Sequence, residues 1–191
     1  MKRAIAALLA LVCAGCASTP PPAPDPKTQL PALEVRIFEL INERRAAIDP
    51  KARQLALDSE LVGLARQRSL DMAAKNGFDA VSADPHMSAT RLMAEDAAFQ
   101  GLLGENVAAQ RYDKTTGLKL EQCATSIVEI WIKSPRHRDN LSYADYVRTG
   151  VGAAVSNDTV FVTQLFATPL ATLKATEALP APKLRGSIGN R

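Results

Sequence analysis

The stretch that decides the fold reads WIKSPRHRDNL and spans Trp131–Leu141. Just before it, apolar residues recur at helical spacing, which predicts an amphipathic helix over Leu120–Lys133. The apolar stripe of this helix comprises Cys123, Ile127, Ile130 and Trp131. Ser134 and Pro135 are the residue types favoured at the N-cap and at the first position of a helix, so a second, short helix is expected over Arg136–Leu141. Two helices therefore meet within this stretch.

Strands are predicted downstream of this junction. Gly150–Val155 and Thr159–Ala167 have the composition of buried strands. The residues between them, Ser156-Asn157-Asp158, are typical of a hairpin turn. Upstream of the junction, Gly104–Gln110 shows a weaker strand pattern.

Helices are predicted over most of the first half of the chain. Leu33–Ala47 carries apolar residues at helical spacing, and a second such segment begins at Asp58 or Ser59, either of which can serve as the N-cap. This second helix is expected to stop at Asn76–Gly77, which has the residues favoured at a helix C-terminus. A shorter helix is expected over Ala89–Ala98. Helices first and a strand hairpin last predict an α+β domain.

Residues 1–16 have the pattern of a secretion signal. The basic start Met1–Arg3 is followed by an apolar run that is too short to span a bilayer. The run ends in Cys13-Ala14-Gly15-Cys16, which resembles a lipobox, the motif in which the last cysteine becomes the lipidated N-terminus. Cys13 stands where Leu is usual, which leaves cleavage by an ordinary signal peptidase near Ala17 as the alternative.

An acylated Cys16 would be the membrane anchor of the protein, because each buried CH₂ contributes on the order of 0.8 kcal/mol. Ala17 rather than Asp follows the cysteine, which resembles the pattern of outer-membrane lipoproteins. We therefore expect an exported, cell-envelope protein, anchored in the outer membrane and facing the periplasm or the exterior. Residues 17–32 contain six prolines and are predicted to be an extended linker. Residues 169–191 lack apolar periodicity and are expected to be a disordered C-terminal tail.

Composition argues against a nucleic-acid partner and against a disulfide within the domain. Without the two basic residues of the signal, 21 Lys and Arg face 20 Asp and Glu, and aromatic residues make up 5% of the chain. Nucleic-acid binding needs clustered basic residues or aromatic stacking platforms, so no nucleic-acid partner is expected. Cys123 is the single cysteine outside the export segment, which excludes a disulfide within the domain. We expect a monomer.

Six motifs in order resemble the CAP superfamily (cysteine-rich secretory protein, antigen 5, pathogenesis-related), also called SCP-like domains. They are Asn42-Glu43-Arg44-Arg45; Leu61-x-x-Leu64-Ala65; His86 with Arg91; Gly104-Glu105-Asn106-Val107-Ala108; the Trp131–Leu141 stretch; and Gly150-Val151-Gly152 with Thr163-Gln164-Leu165-Phe166. The similarity covers about residues 33–167, and we place the domain at residues 33–168. It implies a three-layer α-β-α sandwich with a central antiparallel sheet.

The resemblance also implies a site. In the family, two histidines and two acidic residues form a cleft that can hold a divalent cation, and His86, Glu105 and His137 match three of these positions. Ser134 occupies the position of the fourth acid in this sequence. Glu129 is the nearest acidic residue on the preceding helix and is the candidate for that role. Imidazole and carboxylate are ligands for zinc or a similar ion. The two histidines are expected to converge, with Glu105 beside them.

Structural roles remain open for the same residues. His137 lies near the start of a short helix, where its side chain could instead cap the helix or form a hydrogen bond. Glu105 could instead fix a loop by accepting hydrogen bonds from backbone N–H groups. Cys123 lies on an apolar stripe and is interpreted as a core residue rather than a nucleophile. Trp131, Phe161 and Phe166 are interpreted as core residues as well.

Two function classes are compatible with this pattern. The first is a non-catalytic binding module that holds a lipid, peptide or glycan ligand in its cleft, with a divalent cation as a second occupant. The second is a metal-dependent, peptidase-like hydrolase with Glu105 as general base. We favour the binding module, because a hydrolase needs a dedicated base beyond its ligands.

The lipid anchor can be tested directly. Mass spectrometry of the mature protein should find Cys16 as the first residue, carrying acyl chains, because the lipobox directs both cleavage and modification. A mature protein that begins after Cys16 with an unmodified residue would contradict the lipoprotein assignment.

Overall fold

The computed structural model describes residues 23–77 and 101–170. The elements, in chain order, are α1 (Pro26–Ile48), β1 (Ala56–Leu57), α2 (Ser59–Lys75), β2 (Gly101–Arg111), α3 (Leu120–Lys133), α4 (Pro135–Ser142), β3 (Arg148–Ser156) and β4 (Thr159–Pro169). The strands form one sheet in the order β1-β3-β4-β2. Strands β2 and β3 each pair antiparallel with β4, and the two-residue β1 pairs in parallel with β3.

Helices cover both faces of this sheet. On one face, apolar residues of α2 pack against β4, and further along against β3 and β4. On the other face, α1 and α3 bury the larger core against the opposite sides of the same strands. Trp131 is fully buried in this larger core, as is Phe166. The predicted α+β, three-layer α-β-α sandwich is therefore confirmed, and its long strands are antiparallel as expected.

Helix α1 begins at Pro26, well before the predicted start at Leu33. The local sequence explains the difference, because Asp25 accepts a hydrogen bond from the Lys27 amide and Pro26 occupies the first helical position. The helix thus starts inside the stretch predicted to be a linker. Proline enrichment favours extended chain, but prolines near the start of a helix are compatible with helix.

Helix α2 has the predicted bounds. Asp58 is the N-cap and accepts hydrogen bonds from the amides of Glu60 and Leu61. The C-cap residue Asn76 adopts a left-handed conformation with a φ of 50°, and the Gly77 amide donates to the Met72 carbonyl. The helix therefore ends in the manner expected of an Asn-Gly stop.

The junction between α3 and α4 is also as predicted. Helix α3 spans Leu120–Lys133, and α4 begins with Pro135 after an extended Ser134. The Ser134 side chain makes no capping hydrogen bond, so the residue serves as the N-cap by backbone conformation alone. The hairpin is confirmed with Asn157 at a φ of 55°. Strand β2, the weakest of the sequence predictions, is one of the two longest strands.

Other predictions lie outside the described residues. These are the signal and lipobox, the Ala89–Ala98 helix and nearly all of the C-terminal tail. Within residues 23–77 and 101–170, no helix combines the length and apolar character needed to cross a bilayer.

Glycines let α2 lie unusually close to the sheet. A Cβ atom built on Gly150 would lie 2.2 Å from the Leu61 carbonyl carbon, and one on Gly152 would lie 2.0 Å from the Arg66 amide nitrogen. Both contacts are with helix backbone, which cannot move aside without moving the whole helix. The distance between α2 and β3 is therefore set by the absence of two side chains.

Gly152→Ala should destabilise the domain by about 1–3 kcal/mol or more, because the new methyl group meets the α2 backbone. Gly63→Ala is the matched control: it adds the same methyl group to α2, where nothing in the described part of the chain lies within 4 Å. The control should stabilise the helix by about 0.5–1 kcal/mol. Urea unfolding of both variants measures the difference, and equal midpoints would contradict this account of the packing.

Candidate functional site

Glu105 lies on the face of the sheet that α2 covers. It is paired across the sheet with Leu165, which in turn is paired with Gly150, so all three residues form one row beneath the helix. The Arg68 Nε of α2 donates to the Glu105 carboxylate at 2.9 Å. The Arg68 side chain is 1% exposed and that of Glu105 is 19% exposed. The predicted site carboxylate is thus one half of a largely buried ion pair.

Arg68 is a residue that the sequence analysis missed. It lies on the buried face of α2, whose other members are Leu61, Leu64, Ala65, Ser69, Met72 and Ala73. A charged residue on such a face is costly unless it is paired, so its position in the apolar stripe was a usable signal for a buried acidic partner. Neighbouring Ser69 donates to the Gly152 carbonyl at 2.9 Å, and its hydroxyl also lies 3.0 Å from that of Thr163.

The next residue of β2 faces the opposite side of the sheet. Asn106 is fully buried and donates through Nδ2 to the backbone carbonyl of His137 at 3.1 Å. Asn140 donates through its own Nδ2 to the Glu105 carbonyl at 3.0 Å and to Asn106 Oδ1 at 2.9 Å. Strand β2, the last strand of the described sheet, and helix α4 are therefore joined at the point where two predicted site residues lie.

His137 is half-buried on α4. Burial lowers the pKa of its imidazole, and the neighbouring Arg136 charge lowers that pKa further. The neutral form is therefore favoured at pH 7. Its Nδ1 atom is buried and has no hydrogen-bond partner among the described residues. No hydrogen bond at Nδ1 within the described residues supports the alternative in which this imidazole caps the helix.

The other predicted site residues lie elsewhere. Glu129 is on α3, where its carboxylate accepts from Arg44 of α1 at 3.1 Å and its side chain is 35% exposed. His86 is outside the described residues, so its expected convergence with His137 stays a prediction. The backbone carbonyls of Glu105 and His137 are linked by hydrogen bonds from Asn140 and Asn106. Glu129 is instead paired with Arg44 of α1.

Residues 23–77 and 101–170 do not supply a complete set of ligands for a divalent cation. No group of three or more His, Cys, Asp or Glu side chains there could hold a metal ion. Of the two predicted ligands that are described, Glu105 is already bound to a guanidinium, whereas His137 retains a neutral imidazole. These residues on their own do not fit a metal centre, and His86 would have to complete one.

Cys123 lies apart from these groups, on the face of α3 that packs into the core. Its side chain is buried, and desolvation raises the pKa of the thiol to about 11. The thiolate, which is the nucleophilic form, is therefore scarce at neutral pH. A cavity of about 300 Å³ lies next to it, lined also by Gln110, Tyr112, Leu118 and Ser126. Cys123 is thus a core residue, as interpreted from the sequence.

An α-β-α sandwich with a Gly-Glu-Asn strand hydrogen-bonded to a His-Arg-Asp-Asn helix defines a CAP-type domain. A sequence profile described as the cysteine-rich secretory protein family (CAP) matches residues 38–166. The chain belongs to this family.

Solved structures of bacterial proteins share the fold. An extracellular protein of Bacillus anthracis containing an SCP domain is 31% identical, with a TM-score of 0.57, over 78% of this chain and 45% of that one. An outer surface protein of Borrelia burgdorferi is 17% identical, with a TM-score of 0.55, over 72% of this chain and 93% of that one. A cysteine-rich secretory protein of Staphylococcus aureus is 19% identical, with a TM-score of 0.50, over 73% and 39% of the two chains.

The identities and coverages determine what these similarities show. At under 25% identity, the Borrelia and Staphylococcus proteins show the fold alone. The chain spans less than half the length of the Bacillus and Staphylococcus proteins. No curated protein sequence matches the chain significantly.

The lowered pKa of His137 predicts a pH dependence of stability. In the unfolded chain an imidazole titrates near about 6.5. Because the unfolded state binds more protons below that pH, the free energy of unfolding should fall as the pH drops from about 6.5 through the lower folded pKa. His137→Gln should remove this part of the dependence. Urea unfolding of both proteins between pH 7.5 and 5 measures it, and parallel curves would contradict the burial of a neutral imidazole.

Proposed function

We propose that this protein is an exported cell-envelope lipoprotein whose CAP domain is a non-catalytic binding module. Its ligand is a lipid, a peptide or a glycan, held at the sheet edge where Glu105 and His137 lie. The observation that carries the proposal is the Arg68–Glu105 ion pair, which occupies the carboxylate that a hydrolase would need as its base.

Export and anchoring have support of two kinds. Residues 1–16 have the charged start, apolar run and terminal cysteine of a lipoprotein signal. The similar SCP-domain protein of Bacillus anthracis carries the description extracellular. An outer-membrane anchor through Cys16, with the domain in the periplasm or outside, agrees with both. Residues 17–25, which precede α1, would separate the domain from the bilayer.

The binding module is favoured over the hydrolase by the state of the polar groups. A general base must be within reach of the proton that it removes and must be free to accept it. The Glu105 carboxylate instead accepts a hydrogen bond from the buried Arg68 guanidinium. The amides of Asn106 and Asn140 are bound to each other and to backbone carbonyls. Fixed polar groups of this kind suit recognition, in which the protein presents a constant surface to a ligand.

A divalent cation is a second candidate occupant. His86 and His137 would be its nitrogen ligands, and Glu105 would supply oxygen only by sharing its carboxylate with Arg68. A cation bound in this way would add positive charge beside a guanidinium. Binding should therefore be weak, and it should weaken further as the imidazoles are protonated.

Native mass spectrometry tests the proposal. The full-length lipoprotein is purified in mild detergent from its own envelope, as wild type and as a Glu105→Gln/His137→Ala variant. Wild type should carry an additional mass, identifiable by fragmentation as lipid, peptide or glycan, and the variant should lose it. Glu129→Gln is the matched control, because its carboxylate contacts α1 and the ligand should be retained.

Three outcomes would overturn the proposal. The first is a wild-type protein that carries no ligand under conditions in which folded protein is recovered. The second is processing of a co-purified peptide or glycan that stops with a chelator and with Glu105→Gln, which would establish the hydrolase instead. A co-purified metal mass without an organic ligand would leave the cation as the occupant and contradict the binding of a lipid, peptide or glycan.

A further inference from the structure

Helix α4 carries His137 but has little apolar surface with which to hold itself in place. Of its eight residues, Leu141 alone is buried. Short helices are marginal in water and are usually positioned by the packing of an apolar face. The position of α4 must therefore depend largely on polar contacts.

One set of contacts holds the C-terminal end of α4. Arg45 of α1 is fully buried and donates to the carbonyls of Leu141 at 2.6 Å and Tyr143 at 3.2 Å. These bonds fix where the helix ends. They do not contact its first turn, which carries His137 and follows Ser134, the residue that joins α4 to α3.

A second set of contacts holds the side of α4 that faces β2. Asn140 uses both hydrogens of its amide, one on the Glu105 carbonyl and one on Asn106 Oδ1. Asn106 uses its own amide on the His137 carbonyl. These three hydrogen bonds between Asn106, Asn140 and the two backbone carbonyls are called the amide latch below.

We propose that Asn106 and Asn140 are positioning residues of the ligand site. The amide latch ties the backbone of His137 to the backbone of Glu105, so it sets how the imidazole is presented relative to the carboxylate. This role rests on the proposed function only in that Glu105 and His137 are taken to meet the ligand. Neither asparagine touches the ligand in this account.

The chemistry of the latch requires an amide at position 140. Asn140 must donate twice, which a carboxylate of nearly the same shape cannot do. Asp at this position would also place a negative charge against two acceptor oxygens. Asn140→Asp should therefore open the latch at least as fully as Asn140→Ala, although it preserves the volume of the side chain.

Nuclear magnetic resonance of the folded protein tests the proposal with two readouts. Residual dipolar couplings of the α4 amides report the orientation of the helix relative to the sheet, and amide exchange reports its local opening. In Asn140→Ala and Asn140→Asp, α4 should be reoriented or averaged. Its amides should exchange on the order of tenfold to a hundredfold faster, as expected for the loss of two hydrogen bonds.

Ser142→Ala is the matched control. Ser142 lies on the same helix and donates to the Asp139 carbonyl, outside the latch. Its loss should leave the couplings of the first turn unchanged. A purely stabilising role for Asn140 would lower the unfolding midpoint while leaving the couplings of the folded state as in wild type, and that result would overturn the proposal.

A measurement on the unmodified protein covers the case in which the variants do not fold. The side-chain amide protons of Asn140 should be protected from exchange and show through-hydrogen-bond coupling to the Glu105 carbonyl carbon. Rapid exchange of both protons would overturn the latch. None of these readouts uses a ligand, so the absence of a ligand in the envelope-purified protein would contradict the proposed function and leave the latch intact.

Discussion

The close approach of α2 to β3 is the constraint on which the rest of the structure depends. It is possible because Gly150 and Gly152 leave the helix backbone in contact with the strand. At that distance Ser69 can reach the Gly152 carbonyl, and the long side chain of Arg68 can cross β4 to meet Glu105 on β2. A helix held further away would separate the buried Arg68 guanidinium from the Glu105 carboxylate, and breaking a buried ion pair is strongly destabilising.

Buried charged side chains connect distant segments of this chain, which has one cysteine after residue 16. Arg45 donates to four backbone carbonyls. One is that of Arg53, eight residues further along, and three lie on the distant segment that runs from α4 to β3, at Leu141, Tyr143 and Tyr146. Desolvation lowers the pKa of Arg45, although an arginine keeps its charge at any physiological pH. Glu34 similarly joins α1 to Arg66 of α2 and to the Ala153 amide of β3. Each of these contacts fixes a helix to the chain beyond it, as a disulfide would.

Sequence patterns predicted the elements whose periodicity and end signals agree. Helix α3 has a regular apolar stripe, and α2 has an Asp cap and an Asn-Gly stop, so their bounds were predictable almost to the residue. Strand β1 was not, because its two residues are a strand only through the partner they meet in β3. Arg68 was missed for a related reason. Its type indicates solvent, and its function comes from Glu105, 37 residues away in the chain and adjacent only once the sheet and α2 have formed.

The candidate site combines groups that could perform chemistry with contacts that hold them in place. Glu105 is held by Arg68, and the two amides of the latch are held by each other and by backbone. His137 has a lowered pKa and is neutral at physiological pH, so it brings no charge of its own. A hydrolase gains rate from groups whose protonation or contacts change along the reaction, whereas a binding site gains affinity from groups that are already fixed. The fixed contacts of Glu105, Asn106 and Asn140 are of the second kind, which is why we propose a binding module. In that proposal the Arg68–Glu105 pair stays intact, whereas a hydrolase would have to break it before Glu105 could act as a base.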